Sequence, residues 1–257
     1  MRGCVKQGRI LDVGLNIRAS LLEDLIQLNA PVNPFANSVN NMSNNILILG
    51  ATRGLGASLR KLYASKPSTK SVFATARASF PPESSTESRV SWIPNIDVSQ
   101  PDVGQKLVSQ LPPSTKISTA IISAGYFGFE SFDSPDWEKQ IKMYTTSAIG
   151  PVFVVQNLVK AGVLGEGSKV ILVSSESGSI TLRHETEGGG NYGHHASKSA
   201  LNMVGKLLSL DLKDKGVAVG LVHPGFMRTE MTKSVGFDKF WDAGGGKFSS
   251  WNWLDWD

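Results

Sequence analysis

The chain has 257 residues, of which 40% are hydrophobic and 19% charged, and its formal net charge is +4. These values are ordinary for a soluble globular protein and fit one large α/β domain or two small ones. No apolar run approaches the roughly 18 residues that a membrane-spanning helix requires. The basic residues are dispersed, without the basic and aromatic stripe of a nucleic-acid-binding surface, so we expect neither a membrane nor a nucleic acid as partner. The single cysteine, Cys4, excludes an internal disulfide and favours a cytoplasmic location.

The first 41 residues differ from the rest of the chain. Their last part, NAPVNPFANSVNN, is rich in Asn and Pro and has no sustained hydrophobic period. Such a composition is typical of a linker or a disordered tail. We therefore expect residues 1–41 to form a disordered N-terminal extension and the functional domain to begin near Met42.

From Met42 onward, apolar runs alternate with helical patterns. Strands are predicted at Ile46–Leu49, Ser71–Ala74, Ile117–Ile122, Lys169–Val173 and Val217–Val222, with a weaker one around Trp92 and Ile93. Helices are predicted at Gly54–Ala64, Asp136–Lys160 and Ser197–Lys213. Because the strands are apolar on both faces, this order predicts a single α/β domain with a doubly wound parallel sheet of the Rossmann type.

The first glycine cluster has the context of a dinucleotide-binding loop. In ILILGATRGLG, a buried strand runs into Gly50, Gly54 and Gly56 and then directly into an amphipathic helix. The first glycine permits a tight turn, and the others let backbone amides and the helix N-terminus approach a pyrophosphate. A plain strand-to-helix turn is the alternative, but the strand before and the helix after favour dinucleotide binding.

Two arginines favour NADP(H) as the cofactor. Arg53 lies within the glycine cluster, and Arg77 follows the second predicted strand. An acidic residue after that strand would bind the ribose hydroxyls of NAD(H) and repel a 2′-phosphate. Arginines instead form strong charge-assisted hydrogen bonds to phosphate. The alternative is that both arginines are simply solvated.

The spacing Gly-x-x-x-Gly-x-Gly and several later motifs resemble the short-chain dehydrogenase/reductase family, in particular its small single-domain members common in fungi. The resemblance extends from about Ile46 to Met231 and rests on GATRGLG, NIDVS, SAG, VSSESGS, ASKSAL and HPGFMRT. It implies a dinucleotide-binding reductase domain over residues 42–231. The cofactor-binding residues that it implies are Gly50, Thr52, Arg53, Gly54, Leu55, Gly56, Arg77, Asp97, Ala124, Gly125, Lys198, Pro224, Gly225 and Thr229. Within this set, Asp97 would contact the adenine, and the last three would hold the nicotinamide amide.

The resemblance also implies a catalytic constellation, with two departures. A serine holds the substrate carbonyl and a lysine binds the nicotinamide ribose; Ser175 and Lys198 match them, although a serine that caps a turn is the alternative for Ser175. Ser147 stands where an asparagine of a water relay is expected, and His194 stands where a tyrosine passes the proton. His194 lies four residues before Lys198, so the two share a helix face.

Histidine at this position changes the proton chemistry. A nearby Lys198 cation lowers the pKa of His194 and so disfavours imidazolium, but neutral imidazole can still donate an N–H hydrogen bond to a carbonyl oxygen. We therefore predict Ser175, His194 and Lys198 as catalytic residues.

Tyr192 is a less favoured substitute for the tyrosine. It lies six residues before Lys198 and so does not share a helix face with it, although the glycines around it predict a flexible segment. His184, His194 and His195 lack the spacing of metal ligands, so we predict no metal site.

The last segment, residues 232–257, is atypical for the family. It ends in WDAGGGKFSSWNWLDWD, without a β-branched strand pattern. Trp251, Trp253 and Trp256 either bury against the sheet or form an apolar patch. We hypothesise that the C-terminus is shortened and that the sheet lacks its last strand, which would cost core area and the helix-mediated oligomer usual in the family. A homo-oligomer stays an open alternative.

These observations predict an NADP(H)-dependent oxidoreductase that interconverts a carbonyl and an alcohol on a small organic substrate, with secondary metabolism as its setting. Two alternatives remain. One is a non-redox catalyst of the same fold, such as a dehydratase, isomerase or cyclase. The other is a cofactor-sensing binding protein.

Overall fold

The computed structural model describes residues 44–79, 87–225, 227 and 229–234. The predictions for residues 1–41, for a start at Met42 and for the tryptophan-rich C-terminus lie outside the described residues.

Six parallel strands form one sheet in the order β3-β2-β1-β4-β5-β6. They are β1 (Asn45–Leu49), β2 (Ser71–Thr75), β3 (Val90–Ile93), β4 (Thr119–Ile122), β5 (Lys169–Val173) and β6 (Ala218–Val222). Every residue of β1 and β4 is buried, as expected for central strands covered on both faces. The predicted Rossmann-type α/β fold is confirmed. The chain order reverses between β1 and β4, and sheets of this kind bind ligands in a crevice at the carboxyl ends of those two strands.

Helices cover both faces of the sheet. They are α1 (Gly54–Ser65), α2 (Val103–Gln110), α3 (Trp137–Tyr144), α4 (Gly150–Lys160), α5 (Tyr192–Asp211) and α6 (Glu230–Ser234). Successive β1 residues point to opposite faces. Accordingly, Ile46 and Ile48 pack in a core cluster with α1, whereas Leu47 and Leu49 pack in a second cluster with α2, α4 and α5.

The observed helices differ from the prediction in three places. The predicted helix Asp136–Lys160 is interrupted by a π-helical turn, Thr145–Ile149, between α3 and α4. The short helix α2 was not predicted, because its eight residues are too few for a sustained helical period. Helix α5 begins at Tyr192, before the predicted Ser197. Gly193 therefore lies in its first turn, where an added Cβ would be 2.5 Å from Met143 Cε, and not in a loop.

Gly104 provides a test of the close contact between α2 and α4. An added Cβ would overlap the backbone oxygen of Phe153 and lie 2.6 Å from Asn157 Nδ2. Helix propensity alone favours alanine by about 1 kcal/mol, but overpacking costs roughly 1–3 kcal/mol. Because the overlapping atom is a backbone oxygen, we expect the upper half of that difference, so Gly104→Ala should lower the free energy of unfolding by about 1–2 kcal/mol in urea denaturation.

The matched control for this test is Gly165→Ala. Within the described part of the chain, no heavy atom lies within 4 Å of a Cβ added at Gly165. This variant should unfold at the urea concentration of the wild type or slightly above it. Equal stability of the two variants would contradict the close approach of α2 and α4.

Candidate active site

The glycine loop follows the carboxyl end of β1 and packs against the segment that follows β4. Gly50 has a φ of 83°, and a Cβ there would lie 2.7 Å from the backbone nitrogen and Cα of Ala124. A Cβ on Gly56, in the first turn of α1, would overlap the carbonyl oxygen of Gly50. Only glycine fits at both positions, so the N-terminus of α1 and its free amides lie close to the loop. The structure thus brings Gly50, Gly56 and Ala124 together in the crevice.

The two predicted phosphate-binding arginines both lie at the carboxyl end of the sheet. Arg53 is the N-cap residue of α1, and Arg77 follows β2, the strand beside β1. Both side chains are exposed, as is that of Thr52. Leu55, in the first turn of α1, is only 6% exposed, and its side chain packs in the core. Only its backbone can therefore face a ligand.

The remaining predicted cofactor residues lie on other segments, and one of them approaches this loop. The Asp97 carboxylate accepts hydrogen bonds from the Ser99 backbone N–H at 2.9 Å and from the Ser99 hydroxyl at 2.7 Å, so one of its oxygens stabilises a turn. A Cβ on Gly54 would lie 3.5 Å from Thr229 Cγ2, and one on Gly125 would lie 3.8 Å from Met231 Cε. Residues near the start of α6 therefore lie against the glycine loop. Pro224 and Gly225 follow the carboxyl end of β6.

Ser175 lies two residues beyond β5 and caps a short 3₁₀ turn, Glu176–Gly178. Its Oγ accepts a hydrogen bond from the Ser177 backbone N–H at 3.1 Å. The capping role that we considered as the alternative is therefore present. Accepting this bond leaves the hydroxyl hydrogen free to donate, so the cap and a contact with a substrate oxygen are compatible.

Several hydrogen bonds join this 3₁₀ turn to α5. The Ser199 hydroxyl donates to the Gly178 carbonyl at 2.8 Å, and His195 Nδ1 lies 2.9 Å from the Ser177 carbonyl. Since a carbonyl can only accept, Nδ1 carries the hydrogen in that contact. The Ser174 hydroxyl donates to Asn202 Oδ1 at 2.6 Å. The segment that carries Ser175 is thus held against the helix that carries His194 and Lys198.

Lys198 connects α5 to the end of β5. Its Nζ donates a hydrogen bond to the carbonyl of Val173, the last residue of the strand, at 2.9 Å. Burial lowers the pKa of Lys198 to about 8. The side chain therefore remains a cation at neutral pH and loses its proton as the pH rises past that value.

His194 is neutral over the physiological pH range. Burial lowers its pKa to about 3, and the positive charge of Lys198 adds to this effect. The imidazole ring packs edge-on against Phe127, with ring centroids 4.8 Å apart and an interplanar angle of 71°. A neutral imidazole offers one N–H donor and one acceptor, which suits it to polarise an oxygen but not to act as a strong acid.

Two further residues were named for the departures from the family pattern, and they lie on different elements. Ser147 replaces the asparagine of the water relay, and Tyr192 is the alternative to His194. Ser147 is 2% exposed and lies in the π-helical turn. Tyr192 is 40% exposed at the start of α5.

Glu130 was not identified from the sequence as part of the site. This residue is buried and contacts Gly193, which directly precedes His194. Its carboxylate is 3% exposed and accepts a hydrogen bond from the Gly193 backbone N–H at 2.6 Å. In the sequence FESF, the phenylalanines would be expected to be buried and the glutamate exposed. The structure has the reverse: Phe129 and Phe132 are 61% and 81% exposed, while Glu130 is buried.

Among the described residues, no group of three or more His, Cys, Asp or Glu side chains is arranged to hold a metal ion. A membrane-spanning helix would need a longer apolar stretch than any helix in the described part of the chain provides.

Comparison with known proteins agrees with this geometry. The family described as short chain dehydrogenase matches residues 44–239. An uncharacterized oxidoreductase of Schizosaccharomyces pombe is 31% identical over 201 residues, which cover 73% of this chain and 75% of that protein.

Two solved structures share the fold. The carbonyl reductase Sniffer of D. melanogaster is 25% identical, with a TM-score of 0.64 over 74% of this chain and 84% of that one. A short chain dehydrogenase from Burkholderia cenocepacia J2315 in complex with NADP is 21% identical, with a TM-score of 0.67 over 83% of this chain and 86% of that one. Since the family match spans most of the sequence and the fold agrees, this chain belongs to the short-chain dehydrogenase family.

Proposed function

We propose that the protein is an NADP(H)-dependent oxidoreductase that interconverts a carbonyl and an alcohol on a small organic substrate. The observation that carries the proposal is the arrangement of three side chains. Lys198 binds the last carbonyl of β5, Ser175 follows that strand, and His194 lies one helical turn before Lys198. The name of the Sniffer carbonyl reductase and the NADP in the Burkholderia cenocepacia structure support this proposal.

The residues of the crevice fit a phosphorylated dinucleotide. The glycine loop leaves no room for a Cβ at Gly50 or Gly56, and the N-terminus of α1 can bind a pyrophosphate with its backbone amides. The exposed Arg53 and Arg77 would bind the 2′-phosphate. Lys198 would hold the nicotinamide ribose. When bound, the cofactor supplies a hydride to the substrate carbon or accepts one from it.

The adenosine and nicotinamide ends of the cofactor would meet different residues. On the adenosine side we propose Asp97, Ala124 and Gly125. On the nicotinamide side we propose Pro224, Gly225 and Thr229, in agreement with the position of Thr229 beside Gly54.

The chain's own residues would act on the substrate oxygen. The Ser175 hydroxyl and the N–H of neutral His194 donate hydrogen bonds to it, and the Lys198 cation stabilises the negative charge that develops there. In the direction of alcohol formation, the His194 N–H stabilises the developing negative charge by its hydrogen bond, and the oxygen takes its proton from water. The buried Ser147 would take the asparagine's place in a water relay. In the reverse direction the hydroxyl proton leaves to water by the same route.

A second candidate rests on the depressed pKa of His194. Because no imidazolium is present near neutral pH, the site lacks an acid of the strength that a free histidine would supply. A non-redox catalyst of the same fold or a cofactor-sensing protein would not need one.

The proposed setting is a cytoplasmic one, with a substrate of secondary metabolism. The exposed apolar residues Phe153 on α4 and Met203 and Leu207 on α5, which are 40%, 60% and 52% exposed, support a homo-oligomer.

Substitution of His194 separates these candidates. We expect NADPH oxidation with a panel of carbonyl compounds in the wild type, and a loss of about 100-fold in kcat/KM in His194→Phe, because one hydrogen bond to the substrate oxygen is removed. His194→Tyr should retain activity, since tyrosine restores a hydroxyl donor beside Lys198. NADPH binding, followed by fluorescence, serves as the control and should change little in either variant. Cofactor binding without turnover in any of the three proteins would instead support the second candidate.

Substitution of Arg77 tests the choice of cofactor. We expect NADPH to bind more tightly than NADH and Arg77→Glu to weaken NADPH binding by about tenfold or more, since a charge-assisted hydrogen bond is replaced by repulsion. Lys70→Glu is the matched control, because it makes the same charge change at the exposed amino end of the same strand. Tighter binding of NADH by the wild type, or equal loss in both variants, would contradict the role of Arg77.

A further inference from the structure

A buried carboxylate connects three segments around the proposed site. Glu130 lies in the loop between β4 and α3 and is 3% exposed. Its carboxylate accepts hydrogen bonds from the Gly193 N–H at 2.6 Å, from Gln140 Nε2 at 2.9 Å and from the Asp136 N–H at 3.2 Å. One side chain therefore ties its own loop to α3 and to the first turn of α5.

The backbones of Glu130 and Asn191 strengthen this connection. The Asn191 N–H donates to the Glu130 carbonyl at 3.0 Å, and Asn191 Oδ1 accepts from the Glu130 N–H at 3.4 Å. Asn191 is the N-cap residue of α5 and has a φ of 48°. Its side chain is thus directed to Glu130, and the Glu130 carboxylate supplies the acceptor that a helix N-terminus needs.

This connection holds both partners of the His194 ring contact. His194 follows Gly193 directly, and Phe127, which packs edge-on against the His194 ring, lies three residues before Glu130. The carboxylate fixes the backbone on both sides of that contact. Displacement of either segment would move the imidazole N–H relative to Lys198 and Ser175.

The negative charge of Glu130 matters for this geometry. All three of its partners are N–H donors, so an ionised carboxylate can accept from each, whereas an amide must turn its own NH₂ toward at least one of them. Burial would raise the pKa of Glu130, but the hydrogen bonds from Gly193, Gln140 and Asp136 outweigh it and lower the pKa below its ordinary value. The group is therefore ionised at neutral pH.

We propose that Glu130 is a positioning residue that sets the orientation of the His194 imidazole by holding the first turn of α5 and the Phe127 loop together. Its importance for turnover rests on the proposed function, whereas its control of the ring orientation does not.

The test uses the full chain labelled with ¹³C in its histidines. The ring signals of His194 are assigned by their absence in His194→Phe, and they report the ring's distance and angle to Phe127. We expect Glu130→Gln to shift these signals and to lower kcat for NADPH-dependent carbonyl reduction by about 10-fold to 100-fold, because small displacements of a reacting group have effects of this size. KM and the Kd for NADPH should stay within about twofold, since Glu130 lies outside the proposed cofactor and substrate contacts.

Two further variants make the result specific. Glu138→Gln, the same change at an exposed glutamate in the first turn of α3, should leave the His194 signals and kcat unchanged. Gln140→Leu removes one of the three donors to Glu130 and should shift the His194 signals in the same direction by a smaller amount. It replaces Glu130→Gln as the deciding variant if thermal melting shows that the latter does not fold.

The possible results distinguish the two proposals. Unchanged His194 signals in a folded Glu130→Gln protein would overturn the positioning role, whatever the activity. A wild type that reduces no carbonyl compound would count against the proposed function, while the His194 signals would still decide the role of Glu130. A decrease in melting temperature alone, with His194 signals and kcat as in the wild type, would reduce Glu130 to a structural residue and contradict the positioning role.

Discussion

The hydrogen bond from Lys198 Nζ to the last carbonyl of β5 governs the chemistry of this site. At 2.9 Å, it holds a cation at the carboxyl end of the sheet and one helical turn from His194. Burial and this cation both disfavour imidazolium. The same cation would favour the ionised form of a tyrosine at position 194, so one lysine has opposite consequences for the two residue types. Chemistry at this position is therefore that of a neutral N–H donor, provided that the ring is well oriented.

Polar contacts, most of them partly buried, connect the segments around the His194 ring. The 3₁₀ turn after β5 is held to α5 through Ser199, His195 and Asn202. Glu130 holds the start of α5 to the loop after β4. Because β1, β4 and β5 are parallel, the glycine loop after β1 lies at the same end of the sheet. Hydrogen bonds thus fix the loop that carries Phe127 and the segment after β5 relative to the helix that carries His194.

The sequence predicted the fold because the central strands are apolar on both faces, and only a parallel sheet covered by helices buries both faces. Runs such as NILIL and KVILV lie within one residue of the predicted strands or agree with them. The glycine loop was also recognisable, since Gly50 and Gly56 occupy positions where the backbone leaves no room for a Cβ.

Other features depend on contacts between distant segments and leave no local pattern. Helical patterns lie directly before and after the π-helical turn at Thr145–Ile149, so the sequence indicated one continuous helix. The early start of α5 depends on Glu130, which lies 63 residues before Gly193. The Ser175 hydroxyl makes the capping contact and would also make the proposed contact with the substrate. The sequence shows only that a serine is present, so it could not distinguish these two roles.

The most direct test of a neutral His194 acting beside Lys198 is the pH dependence of a single turnover, with saturating NADPH and a carbonyl substrate that the wild type reduces. Since His194 would gain a proton only as the pH falls to about 3, the rate constant should be constant between about pH 5 and 7. It should decrease as the pH rises past about 8, where Lys198 loses its charge. A rate constant that instead increases as the pH falls, with an apparent pKa of about 6 to 7 as for an ordinary histidine, would show that imidazolium is required and would contradict the neutral donor.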